Sequence, residues 1–179
     1  RDDGGQPGRS GVRQDLFLPR REPRIRQVGV DVEQTHQRAL SLRSPLVRPA
    51  YGLYPVDAVL PEMLAMGVPY ERSELEVVGA EEAIRWISDH VEEAVAVGEI
   101  GLDRHWVPEA LWERQEEVFR RLVRLAKEAD KPIVVHSRKA EARMLEVLVE
   151  EGVSRVDWHC FGGKVKLGLR IGAQGHWLS

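Results

Sequence analysis

The chain has 179 residues, 42% of them hydrophobic, with a formal net charge of -3. That is enough apolar material for one buried core and too balanced a charge for a protein that coats nucleic acid or membranes. No apolar run approaches the 18 or so residues of a membrane span, nothing reads as a signal peptide, and the single Cys160 excludes an internal disulfide. A cytoplasmic location is the default expectation.

Residues 1–26 do not read as part of a domain. The stretch to Gly11 is polar, glycine-rich and without period, and Leu16-Phe17-Leu18 is one apolar patch closed by Pro19. Such a segment buries too little surface to offset its ordering entropy. Its seven arginines are interrupted by four acids, which argues against a nucleic-acid arm. The segment is expected to be a disordered or non-native leader, with the domain over 27–179.

From Gln27 the pattern alternates. Gln27-Val28-Gly29-Val30-Asp31 predicts a short strand, 33–42 a helix, and 46–55 the next strand with its exit loop. A less regular region follows, with Pro61, Gly67, Pro69 and the apolar pair Val77-Val78. Gly79 introduces a helix to about Glu93, with Ala83, Ile84, Ile87 and Val91 on one face. The apolar run 94–97 then leads into Gly98-Glu99-Ile100-Gly101-Leu102-Asp103. A buried parallel strand delivering a polar side chain to its carboxyl end has this pattern.

A long helix is predicted from about Pro108 to Asp130. Its buried stripe is Leu111, Val118, Leu122 and Leu125, widened by Trp112, Phe119 and Ala126. Pro108 is tolerated near the first turn because its missing N–H would be unpaired there anyway. Pro132-Ile133-Val134-Val135-His136 predicts a strand, with Ser137 as N-cap of a helix that Gly152 stops. Arg155-Val156-Asp157-Trp158-His159 predicts another, followed by Phe161-Gly162-Gly163-Lys164 and a short helix to about Ala173. A further strand begins over 175–179.

Strand and helix alternate throughout, and there is no glycine-rich phosphate fingerprint or Walker lysine. Alternation of this kind means a parallel sheet, either doubly wound or a (β/α)8 barrel. Polar residues at three consecutive strand ends favour the barrel, where every strand opens on one face. An open sheet concentrates such residues at its switch point instead.

A glutamate in a valine-rich strand is costly to bury unless it is paired or metal-bound. For Glu99 alone a salt bridge to an arginine is the competing reading, and for His136 or His159 alone a satisfied core imidazole. Together they are stronger: separations of 37 and 23 residues each fit one βα repeat, so adjacent strands would aim all three at one pocket. Carboxylate plus neutral imidazole suits zinc, manganese or another first-row divalent ion, and a carboxylate can bridge two of them. Arg138 and Lys164 could contact a phosphate at the mouth, against the reading of solvated loop cations. Cys160 is expected on the opposite side of the strand as a packing residue. His36, His90, His105 and His176 are expected in bland surface or loop roles.

At these residues the sequence resembles the TatD family of metal-dependent hydrolases. The matching pieces are Gly98-Glu99-Ile100-Gly101-Leu102-Asp103, Gln115 and Phe119, Pro132 to Arg138 with Ala140, His159-Cys160-Phe161-Gly162-Gly163 and Gly175-His176-Trp177-Leu178-Ser179. Upstream, Val28-Gly29-Val30-Asp31 and Ala50-Tyr51-Gly52-Leu53-Tyr54-Pro55 fit the second and third strands. The resemblance implies a (β/α)8 metal-dependent-hydrolase barrel, of which this chain would hold strands 2–7. It implies two divalent ions (Mg, Mn or Zn) and hydrolysis of DNA phosphodiesters by a metal-activated water. Glu99 would be the bridging carboxylate, with His136 and His159 as further ligands.

The departures are specific. The family's first-strand His-X-His occurs nowhere in the chain, and its eighth-strand Asp would lie beyond Ser179, so no catalytic residue is assigned. Its Gly-Leu-His-Pro is Gly52-Leu53-Tyr54-Pro55 here, which removes a histidine the family places near the substrate. A member truncated at both ends is therefore expected, with two open sheet edges and a marginal, aggregation-prone or partner-dependent fold. DNA or another phosphoester is the expected partner, with no membrane and no stable protein partner implied. The alternatives are amide or lactone hydrolysis on the same barrel, and an inactive truncated barrel that binds without turnover.

Overall fold

A computed structural model describes residues 49–68 and 79–179 of the chain. The leader, the strand over 27–31, the helix over 33–42 and the pair Val77-Val78 lie outside the described residues.

The described residues form five strands: β1 (Ala50–Tyr51), β2 (Ala96–Asp103), β3 (Ile133–Arg138), β4 (Val156–Trp158) and β5 (Trp177–Leu178). They make one parallel sheet in the order β1-β2-β3-β4-β5. Between them lie α1 (Leu60–Ala65), α2 (Ala80–His90), α3 (Trp112–Glu128), α4 (Glu141–Glu151) and α5 (Val165–Gly172). Sequential parallel order with a helix at each crossover is the arrangement of a (β/α)8 barrel, here an unclosed arc. An open doubly wound sheet would reverse its order at a switch point. None of the described helices is long and apolar enough to cross a membrane.

β2 is an interior strand of the arc. It pairs with both β1 and β3, and seven of its eight residues are buried, as expected of a parallel strand covered on both faces. The strand runs on through Glu99 to Asp103, so Glu99 lies inside it and Asp103 takes its carboxyl end. Two glycines permit this. A Cβ on Gly52 would stand 2.4 Å from the Gly98 carbonyl carbon, and one on Gly101 2.0 Å from the His136 carbonyl oxygen. The backbones of β1, β2 and β3 therefore approach where side chains would hold them apart.

α3 packs on β2 and buries Gln115, Val118, Phe119, Leu122, Val123 and Ala126. The expected stripe is thus rotated. Leu125 is only partly buried against the main core, and Leu111 and Trp112 pack instead on a small cluster of Val56, Val59, Met63 and Val107. Leu111 leaves the helical register because the chain makes a 3-10 turn at Glu109–Leu111 before the helix begins. In α2, Ala83, Ile84 and Ile87 are buried as expected, with Val91 on the following turn. Each of the buried Ile and Val side chains contributes about 1.5–3 kcal/mol by leaving water, and Ala83 less.

α4 begins at Glu141 with Ala140 at its N-cap, and Gly152 ends it in the left-handed conformation. Ser137 is therefore not the cap. β3 continues through it, and its hydroxyl is buried without a hydrogen-bond partner. Arg120 and Arg143 on α3 and α4 both bond Glu116, and Arg120 and Arg124 both bond Glu151, tying the two helices together outside the core. At the β5 edge Trp177 and Leu178 are exposed beside Val165 and Leu169 of α5.

Candidate metal centre

Glu99 sits at an irregularity in the β2–β3 pairing. Val97 is opposite Ile133 but Ile100 is opposite Val135, so β2 holds one extra residue between them. A bulge of this kind re-aims a side chain. The Glu99 carboxylate is largely buried, its side chain 14% exposed, and its Oε1 lies 3.5 Å from Nε2 of His159. His159 follows β4 directly, with its N–H bonded to the Val135 carbonyl. His136 lies opposite Gly101 in the neighbouring register.

His136 is the electrostatic centre of the group. Burial holds its imidazole below the ordinary value; Glu99 and Asp103 pull upward, while His159 and Arg138 push further down. A neutral imidazole is the form that ligates metal. Its Nε2, however, is hydrogen-bonded to the Tyr54 hydroxyl at 3.1 Å.

The donor chemistry fits a divalent ion. A carboxylate oxygen and an imidazole nitrogen converge at Glu99 and His159, at the separation of two ligands sharing one ion. His136 is nearby and neutral but faces Tyr54, and among the described residues no three such side chains are gathered around one point. Of the expected phosphate contacts, Arg138 belongs to this group, acting on His136 and reaching over Trp106. Lys164 stands exposed at the start of α5 and contacts none of the three.

Cys160 is not a packing residue. Strand alternation stops at Trp158, and at Cys160 the backbone turns through φ 53°, leaving the thiol exposed and 3.2 Å from His159 Nε2. His176 is not a bland residue either. It is buried, bonded to the Trp158 indole and the Val153 carbonyl.

Two further residues hold the site together. Asp103 is fully buried, and its Oδ1 accepts the N–H groups of His105 and Trp106 at 2.7 Å each. Gln115, also buried, accepts the Asp103 N–H and donates to the Pro55 carbonyl at 2.7 Å. It thereby clamps the exits of β1 and β2. The signal for Gln115 was available: an amide three and four residues before Val118 and Phe119, on the stripe a helix buries.

A sequential βα arc with carboxylate and imidazole donors on adjacent strands places the chain among the (β/α)8-barrel proteins. The family model described as TatD related DNase matches residues 20–179, and the chain belongs to that family. The Bacillus subtilis protein named uncharacterized metal-dependent hydrolase YabD is 34% identical over 163 residues, 87% of this chain and 56% of the relative. The human protein named deoxyribonuclease TATDN3 is 28% identical over 136 residues, 74% of this chain and 47% of the relative. The crystal structure of YjjV, a TatD homolog from Escherichia coli K12, superposes with a TM-score of 0.59 and 25% identity over 80% of this chain and 50% of that one. The chain spans about half the length of the curated relatives it matches.

Proposed function

We propose that this chain carries part of the centre of a divalent-metal-dependent hydrolase that cleaves DNA phosphodiesters, with Glu99, His136 and His159 as metal ligands. The observation that carries the reading is the approach of Glu99 Oε1 to His159 Nε2 at 3.5 Å beside a neutral His136. A bound divalent ion supplies Lewis acidity at the phosphorus and a nucleophile at neutral pH, and a second one a clamp on the leaving oxygen. The chain's own residues do the rest. The β2 irregularity aims Glu99, burial keeps His136 unprotonated, and Arg138 presents a cation to the phosphate. The nuclease assignment draws on the human relative's name and on that cation.

The test is hydrolysis of single-stranded and duplex oligonucleotides by the full chain with Mg, Mn or Zn, against a para-nitrophenyl ester and a lactone. Expected is metal-dependent oligonucleotide cleavage that chelator removes and Glu99→Gln abolishes. Cleavage of only the ester or lactone would move the reading to carboxyl chemistry on the same barrel. The non-catalytic reading, a barrel that binds without turnover, draws on the Tyr54 hydroxyl at His136 Nε2. Metal binding with no hydrolysis of any substrate would establish it.

A further inference from the structure

Asp103 is fully buried at the carboxyl end of β2, yet only half of its carboxylate is used. Oδ1 accepts the N–H groups of His105 and Trp106, while Oδ2 is enclosed without a hydrogen-bond partner. A buried carboxylate oxygen left unpaired is costly, and such an orphan calls for a donor. The complementary orphan is on the next strand. Gly101 pairs with His136, and Asp103 stands two residues further along β2, so it shares the sheet face of the imidazole. His136 Nε2 meets the Tyr54 hydroxyl, and its Nδ1 has no hydrogen-bond partner among the described residues. Burial lowers the proton affinity of this ring most, and Glu99 and then Asp103 raise it, so Asp103 is within electrostatic reach.

A neutral imidazole carries one N–H and one lone pair, and which nitrogen holds the proton is set by the partner of the other. A histidine that ligates metal almost always donates its remaining N–H to a carboxylate, a carbonyl or a water. We propose that Asp103 is a positioning residue for His136: Oδ2 holds the Nδ1–H of the imidazole through one bridging water, leaving Nε2 as the nitrogen whose lone pair is offered to a metal. The Nδ1–H donates to the water, and the water donates to Oδ2, which satisfies both orphans at once. Tyr54 follows this tautomer, its hydroxyl donating to Nε2 until an ion displaces it. The inference rests on the reading of His136 as a ligand and deepens it, by naming the group that sets which nitrogen ligates.

The experiment uses the full chain, metal-free and with isotope-labelled histidine, at about pH 8.5, above the ordinary imidazole value of about 6.5. Long-range proton–nitrogen NMR spectra report which ring nitrogen carries the proton, and the His136 signals are those that His136→Gln removes. Wild type is expected to hold the proton on Nδ1. In Asp103→Asn the amide oxygen stays on the His105 and Trp106 N–H groups, so an N–H donor replaces Oδ2. The water then donates to Nδ1, and the His136 proton is expected on Nε2. Affinity for Mn or Zn is expected to fall about tenfold to a hundredfold in that variant. A proton on Nε2 in wild type, one tautomer shared by both proteins, or equal affinity for a metal that wild type binds would overturn the positioning role. An aspartate that only supports the loop would not exchange the tautomer. If Asp103→Asn does not fold by circular dichroism, wild type and Tyr54→Phe decide: a proton on Nδ1 in both supports Asp103, and exchange in Tyr54→Phe overturns it. A wild type that binds neither ion removes the ligand reading alone, while the tautomer exchange still supports Asp103 as the group that holds the His136 proton.

Discussion

The hydroxyl of Tyr54 lies 3.1 Å from Nε2 of His136, and the two rings are 5.0 Å apart. In the proposed metal site, ligation through Nε2 would have to displace this neighbour from the β1 exit loop. A neutral hydrogen bond of this kind is worth about 0.5–1.5 kcal/mol, up to about tenfold in a competing equilibrium. Tyr54→Phe is expected to tighten binding of Mn or Zn by up to about that factor. Isothermal titration calorimetry checks it, and an unchanged affinity would show that the phenol does not compete.

Gln115 carries a larger structural load. Its amide satisfies the Asp103 N–H and the Pro55 carbonyl, both at the site end of the sheet. Gln115→Leu leaves both backbone groups unpaired in a buried place, at about 1–3 kcal/mol each. The expected result is a destabilisation of about 2–5 kcal/mol in urea melts. A loss below 0.5 kcal/mol would mean that water replaces the amide.

His176 predicts a pH dependence. Trp158 donates to its Nδ1, so the ring proton is on Nε2, which donates to Val153. Burial lowers its proton affinity against the opposing pull of the Val153 carbonyl. The folded state therefore resists a proton that the unfolded chain accepts near pH 6.5. The stability this group contributes is full above that pH and is lost as pH falls toward the lower folded value. His176→Gln can accept from Trp158 and donate to Val153 without titrating. Its Tm is expected to fall less than that of wild type between pH 7 and 5. A residual slope is expected because His136 is shifted in the same direction. Parallel Tm curves would remove His176 from the account.

Gly101 has φ 150°, and a Cβ there would stand 2.0 Å from the carbonyl oxygen of His136. Gly101→Ala must push β3 away from β2. We expect a loss of about 1–3 kcal/mol, the usual cost of overpacking. Metal affinity should also weaken, because His136 moves with its backbone. Thermal melts and metal titration check the two effects, and a variant with both unchanged would show that the sheet absorbs the methyl.

Much of the fold was legible locally. Apolar runs separated by amphipathic stretches mark parallel strands and crossover helices, because a strand covered on both faces needs continuous hydrophobicity. The spacing of Glu99, His136 and His159 by whole βα repeats put them on, or directly after, three successive strands. Tertiary structure decided what each of them meets. The extra residue in β2 brings Glu99 to His159, which no periodicity in the sequence encodes. Tyr54 reaches His136 across 82 residues, and Gln115 joins two strand exits 60 and 12 residues away. The positive φ at Cys160 turns its thiol onto His159, and the end of β3 takes Ser137 out of the cap position. Burial and periodicity are properties of neighbours along the chain. Hydrogen-bond partners are properties of neighbours in space, and only the packed sheet brings those together.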